Sequence, residues 1–264
     1  MTCVADIVDF LDQRNPPELA EDWDNIGLLI GDPQSKVDRV LTCLTLTPDV
    51  AAEAVNSSVD IIVSHHPILF RPIQKITSST SEGAMLLQLV ENKIAVYSPH
   101  TAFDSAADGI NQQIAERFEM TDIRPFRPSD DDEMIGSGRY GELPVTYEFQ
   151  TLVEKVRDEF QLPAVQFVGD PKMDVRRLGI ACGSAAEFLR DARKAGCDAF
   201  ITGEARFHSA LEARAEGIGL ILIGHYASER PAVEQLAVVI ADQFSELTVQ
   251  ASNVETDPLQ WSIA

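Results

Sequence analysis

Six ionisable residues stand where short apolar runs give out. His65 and His66 close "DIIVSHH" (60–66), and His100 follows "AVYSP" with Asp104 four residues on. His225 follows "LILIG", with Glu229 again four residues on. The chain has only five histidines in 264 residues and places two of them side by side. At the C-terminal end of a parallel strand, side chains project into the crevice where α/β proteins bind ligands. Imidazole and carboxylate donors together suit Zn, Fe, Mn or Ni, and no soft thiolate is spaced to join them. Five or six such donors exceed what one structural ion takes. They suit two divalent ions about 3.5–4 Å apart, bridged by a carboxylate or hydroxide. A single strand-end histidine is ordinarily a hydrogen-bonded core or surface residue. The adjacent pair and the repeated His-x-x-x-acid are what point to metal.

The elements that must position these residues alternate. Short β-branched runs ("GLLIG", "RVLTCL", "DIIVSHH", "IAVYSPH") are separated by helical stretches near 48–57, 82–92 and 106–118. After a polar stretch at 127–142 the alternation resumes. This pattern predicts α/β layers with a largely parallel sheet. If the strand before His225 turns directly into a helix, the i, i+4 spacing sets His225 and Glu229 on one face. "ERPAVEQLAVVIADQF" reads as that helix, with Pro231 in its first turn.

The two halves resemble each other. "IGDPQSKVDRV" (30–40) lies over "VGDPKMDVRRL" (168–178), and at the same offset "DIIVSHH" lies over "DAFITGE" (198–204). "AVYSPHTAFD" (95–104) lies over "LILIGHYASE" (220–229), which places His100 on His225 and Asp104 on Glu229. The expected domains are therefore 1–126 and 127–264, with the C-terminal segment free to pack back on the first. Two similar units facing each other would bring their strand ends to a shared cleft, a common place for ligands.

Composition narrows the function. At 45% hydrophobic residues the chain is an ordinary globular sequence with no apolar stretch long enough to span a membrane. The N-terminus reads as an amphipathic helix rather than a leader, so export is not expected and the cytoplasm is. Cys3, Cys43, Cys182 and Cys197 show no CxxC spacing and read as apolar filler. Forty-two acids against 21 bases give a net charge of −21, which disfavours nucleic acid and anionic membranes as partners. Three other stretches carry less. "GSGRYG" (136–141) precedes a strand-like run rather than a helix and reads as a flexible turn, and "SDDDEM" (129–134) reads as a solvated loop. In "EDWDNIGLLIG", Trp23 is expected to pack and Asp24-Asn25 to form an Asx-type turn. His208, on a predicted helix, reads as structural or as a support behind the ligands.

"EDWDNIGLLIGD", "VSHHPILF", "SPHTAFD" and "ILIGHYASE", in that order along the whole chain, resemble the NIF3-like family, also known as the GTP cyclohydrolase 1 type 2 family. No inserted domain separates the halves, as in the compact bacterial form. The resemblance implies two interlinked α/β domains of similar topology, a dinuclear metal centre in the inter-domain cleft, and a ring-shaped homohexamer. Carried over by position, the metal ligands would be His65, His66, Asp104, His225 and Glu229, with His100 beside the metals as the catalytic proton shuttle. Glu204 stands where the family pattern usually has Asp, and Ala102 and Phe103 replace a small polar and an aliphatic residue. These departures bear on substrate contacts and leave every ligand in place. The implied activity is a dinuclear metal-dependent hydrolase, of GTP cyclohydrolase type or acting on another phosphorylated small molecule. The competing reading is a non-enzymatic metal-binding, metal-delivery or scaffold protein.

Overall fold

The structure, a computed structural model, describes residues 1–262. The chain forms two compact units. The first comprises Met1–Phe103 and Arg230–Thr256; the second comprises Asp104–Glu229 and the tail from Asp257. These limits differ from the 1–126 and 127–264 read from the sequence, for a reason visible in the strand pairing. Strand Thr121–Arg124 pairs with Arg139–Glu148 in the second unit's sheet, and strand Thr248–Ala251 pairs with Arg39–Thr45 in the first. The polar stretch at 127–142 resembles a linker in composition but forms the small hairpin Arg127–Pro128/Gly136–Ser137 and the start of a long strand.

The first unit holds a five-stranded sheet in the order 27–30, 95–98, 61–66, 39–45, 248–251. Its central strands Arg39–Thr45 and Ile61–His66 are parallel and buried almost throughout, as near-continuous apolar runs require when both faces are covered. Helix Val4–Arg14 buries Val4, Ile7 and Leu11, one helical face, as its amphipathic pattern predicts. Helix Pro48–Asn56 is started by Thr47, whose hydroxyl accepts from the Val50 amide, and by Pro48 in its first turn.

The second unit holds a six-stranded sheet in the order 121–124, 139–148, 174–181, 199–202, 219–222, 166–168. Its last four strands repeat the first unit's: the order 174–181, 199–202, 219–222, 166–168 matches 39–45, 61–66, 95–98, 27–30. In both, the first three are parallel and the last is antiparallel. The likeness extends to single hydrogen bonds. The Asp60 carboxylate accepts from the Asp38 and Arg39 amides, and Asp198 accepts from Arg176 and Arg177. The amide of Ala5 donates to the Pro33 carbonyl, and that of Gln150 to Pro171, so each unit's helix docks on its own Gly-Asp-Pro turn.

Two helices carry the chain from one unit to the other, and each begins with histidine. Helix His100–Ser105 crosses at Phe103/Asp104, and helix His225–Gln243 crosses at Glu229/Arg230. The second starts earlier than its sequence suggests, so Pro231 lies inside it and not in its first turn. None of the described helices is long and apolar enough to cross a membrane.

Candidate functional site

In the first unit three imidazoles gather. His65 and His66 end a strand, and a strand's side chains alternate between faces, so their environments differ: His65 is 1% exposed and His66 half-buried. His100 follows strand Ala95–Ser98 directly. Ring centroids lie 5.1 Å apart for His65–His66, 5.3 Å for His65–His100 and 5.7 Å for His66–His100. One nitrogen from each lies within 4.8 Å of the others, close enough to hold a single ion.

Two of these rings are oriented from behind. Thr45, opposite His66 on the neighbouring strand, places its hydroxyl 2.7 Å from His66 Nδ1. Asp24 Oδ1 lies 2.7 Å from His100 Nδ1, its side chain fully buried. Burial alone would raise the Asp24 pKa, but hydrogen bonds from His100, Thr101 and the Asn25 amide outweigh it and hold the carboxyl below its usual value. Each contact engages Nδ1, the arrangement by which a metal-binding histidine is held by a carboxylate or hydroxyl. His100 also has a φ of +31°, a conformation disfavoured for a residue with a β-carbon, which its surroundings enforce.

In the second unit Asp104, His225 and Glu229 gather around the ends of strands Asp174–Ala181, Ala199–Thr202 and Gly219–Leu222. His225 Nε2 lies 3.1 Å from Glu229 Oε2, as the i, i+4 spacing predicts, and Nδ1 lies 3.1 Å from Glu204 Oε1. The hydrogen bond to Glu229 first, then Glu204, push the His225 pKa up to about 9 against the opposing effect of burial. A carboxylate oxygen of Asp104 and one of Glu229 lie within 4.8 Å of each other, and Glu229 is 3% exposed. Cys182 Sγ donates to Asp104 Oδ1 at 3.2 Å; burial and then the charges of Asp104 and Glu229 raise its pKa, which keeps it a thiol.

The backbone is shaped to admit these side chains. Gly183, at φ +66°, leaves room for Glu229: a β-carbon there would stand within 2.3 Å of Glu229 Oε1. Its amide donates to Ser228 Oγ, which in turn donates to the His225 carbonyl. Asn111 joins the two segments behind the thiol, donating to the Asp104 carbonyl and accepting from the Cys182 amide. Arg139, 1% exposed, donates to the carbonyls of Gly136, Gly138, Ser105 and Ala106, so it closes the C-terminal end of the helix that presents Asp104. Burial lowers its pKa to about 10, which leaves it charged at neutral pH.

Several sequence expectations change. Asp24 is not a local turn former; it holds His100. Trp23 is 60% exposed rather than packed away, with Phe70 and His100 at its ring. Glu204 braces His225, and Cys182 is no mere filler. His208 is exposed on helix Phe207–Glu216 and supports no ligand residue. "GSGRYG" is two strand segments joined by a bend at Gly138, not a flexible turn. The rule that singled out the histidines, a reactive group at a strand's C-terminal end, would also have found Cys182. No spacing rule would have joined Asp24 to a histidine so far along the chain.

Comparison with known proteins agrees over nearly the full length. The chain is 34% identical over 232 residues to a GTP cyclohydrolase 1 type 2 homolog from Clostridium acetobutylicum, covering 87% of this chain and 86% of that one. It is 32% identical to NIF3-like protein 1 of Drosophila melanogaster, covering 97% and 88%. The crystal structure of Staphylococcus aureus protein SA1388 superposes with a TM-score of 0.89 at 25% identity, covering 99% of both chains. The family model Duf34/NIF3 (NGG1p interacting factor 3) matches residues 2–258, and the chain belongs to that family.

Proposed function

We propose that the two donor sets act as one dinuclear metal centre, in a cleft between the units, and that the protein is a metal-dependent hydrolase. The observation that carries this reading is the Asp104–Glu229 pair. Two carboxylates within 4.8 Å, one of them 3% exposed, repel each other, and protonated His225 at 3.1 Å from Glu229 offsets only one of the two negative charges. Their chemistry fits divalent Zn, Fe, Mn or Ni: carboxylates supply charge and neutral imidazoles supply directed nitrogen donors. In the first unit the three imidazoles offer nitrogen without charge, so the sets complement each other.

In this reading His65, His66, Asp104, His225 and Glu229 hold two ions, which would supply Lewis acidity and a nucleophile active at neutral pH. His100 accepts and returns the proton, with Asp24 fixing its tautomer and compensating the charge it gains. Glu204 does the same for the orientation of His225. The names of the relatives put GTP first among substrates to test. Ions in the centre would locally offset the negative field of a chain with a net charge of −21 for a phosphorylated substrate. Assembly into a ring of about six copies belongs to the same proposal, and light scattering that returned a stable monomer would remove it.

The test is a screen of metal-loaded protein against nucleotides and other small phosphorylated compounds. Turnover that His65→Ala abolishes supports the hydrolase. Metal transfer to an acceptor with no turnover would make the protein a carrier.

A further inference from the structure

Beside His66, within the first unit, lies a cavity of about 720 Å³ whose apolar wall no step above uses. That is room for a small organic ligand, since such sites run to about 300–1,000 Å³. Leu46, Ile68, Leu69, Ile73 and Met85 make it mainly apolar, and His66 and Thr45 stand at its rim. Phe70 also lines it, 47% exposed, and its ring lies 5.9 Å from that of Trp23 at 77°. Both rings also stand against His100, at 6.1 Å from Trp23 and 6.3 Å from Phe70, so a ligand ring packed on Phe70 would lie close to the Trp23 indole.

The wall is fixed rather than loose. Leu69 has a φ of +59°, costly for a residue with a β-carbon, and its carbonyl accepts from Asn25 Nδ2 at 2.9 Å. Asn25 adjoins the Asp24 that holds His100, so the cavity wall and the histidine cluster share an anchor. Arg71 and Glu82 are the charged lining residues, and Thr47 with Pro48 and Ser81 with Glu82 bring two helix N-termini to the cavity. Asp49 and Glu82, in the first turns of those helices, answer the termini, so Arg71 is the lining group that would pair with an anion.

We infer that this cavity binds the planar aromatic body of a small anionic ligand, with Arg71 pairing with the anion and the ligand's polar edge turned towards His66. Its service to the metal centre rests on the function proposed above; the cavity's preference for such a ligand does not.

The probe is 8-anilinonaphthalene-1-sulfonate, titrated into the full chain with and without a metal chelator. A Trp261→Phe background leaves Trp23 as the sole indole donor, because the chain has two tryptophans. Saturable binding of one dye per chain is expected, with energy transfer from Trp23, unchanged by chelation. Ile73→Glu should weaken it by about tenfold or more by placing a like charge in the apolar wall. The exposed Arg71→Gln, which leaves the core untouched, should weaken it several-fold, and Arg71→Lys should restore most of the loss. No saturable binding, binding that survives both Ile73→Glu and Arg71→Gln, or binding that disappears with chelator would each overturn the assignment. Because the dye is read without metal, an absent metal centre leaves this result standing.

Discussion

Asp24 touches no candidate ligand position of its own, yet it decides how His100 is presented. The buried carboxylate accepts from His100, from Thr101 and from the Asn25 amide, so its charge is fully engaged. Asp24→Asn keeps the shape and removes the charge that sets the imidazole tautomer. If His100 serves the proposed centre, the variant should lose about 10–100-fold in metal affinity or turnover while its circular dichroism stays native. Undiminished metal affinity and turnover would show that His100 works without its carboxylate. At this scale the sequence was legible where residue type and strand position coincide: His65, His66, His100 and His225 each follow an apolar run. It was illegible where a partner comes from a distant segment, as Asp24 does for His100. Cys182 was hidden for another reason, that a buried cysteine is ordinary as a core residue.

At the scale of elements, each sheet presents its functional groups from the ends of three adjacent parallel strands, and tight loops let long side chains through. Gly183 is the clearest case. Two left-handed glycines separate backbone strain from steric clash: Gly183, at φ +66°, faces Glu229, whereas Gly217, at φ +71°, has nothing within 4 Å of an added β-carbon. Gly183→Ala and Gly217→Ala should each destabilise the fold by about 1 kcal/mol through backbone strain. Only Gly183→Ala should also lower metal retention, which dialysis against a weak chelator followed by elemental analysis would reveal. Equal retention in the two variants would mean that Glu229 is not a ligand. The repeated strands were legible because the duplication matches apolar runs at nearly constant spacing. Element limits were less so: the helix expected near 106–118 begins at Ile110, and a separate short helix, His100–Ser105, precedes it. Pro231 misled because proline commonly opens helices, whereas here helix His225–Gln243 runs through it.

For the molecule as a whole, the duplication explains why neither unit offers a complete donor set. The first unit's copy ends its strands in His65, His66 and His100; the second unit's equivalents of His65 and His66 are Gly203 and Glu204, and its helix brings His225 and Glu229. One copy is rich in imidazole and the other in carboxylate, which the proposed centre takes as complementary halves of one donor set. The unit limits were not legible because composition marks solvation and not pairing: the polar 127–142 stretch looked like a boundary, while the crossings lie inside helices. The central claim is that both units supply one pair of metals. Its most direct measurement is an anomalous-scattering map of crystals of the reconstituted protein. Two peaks per chain are predicted, about 3.5–4 Å apart, bounded by His65 and His66 on one side and by Asp104, His225 and Glu229 on the other. A single peak, or two separate peaks each held by one unit alone, would contradict it.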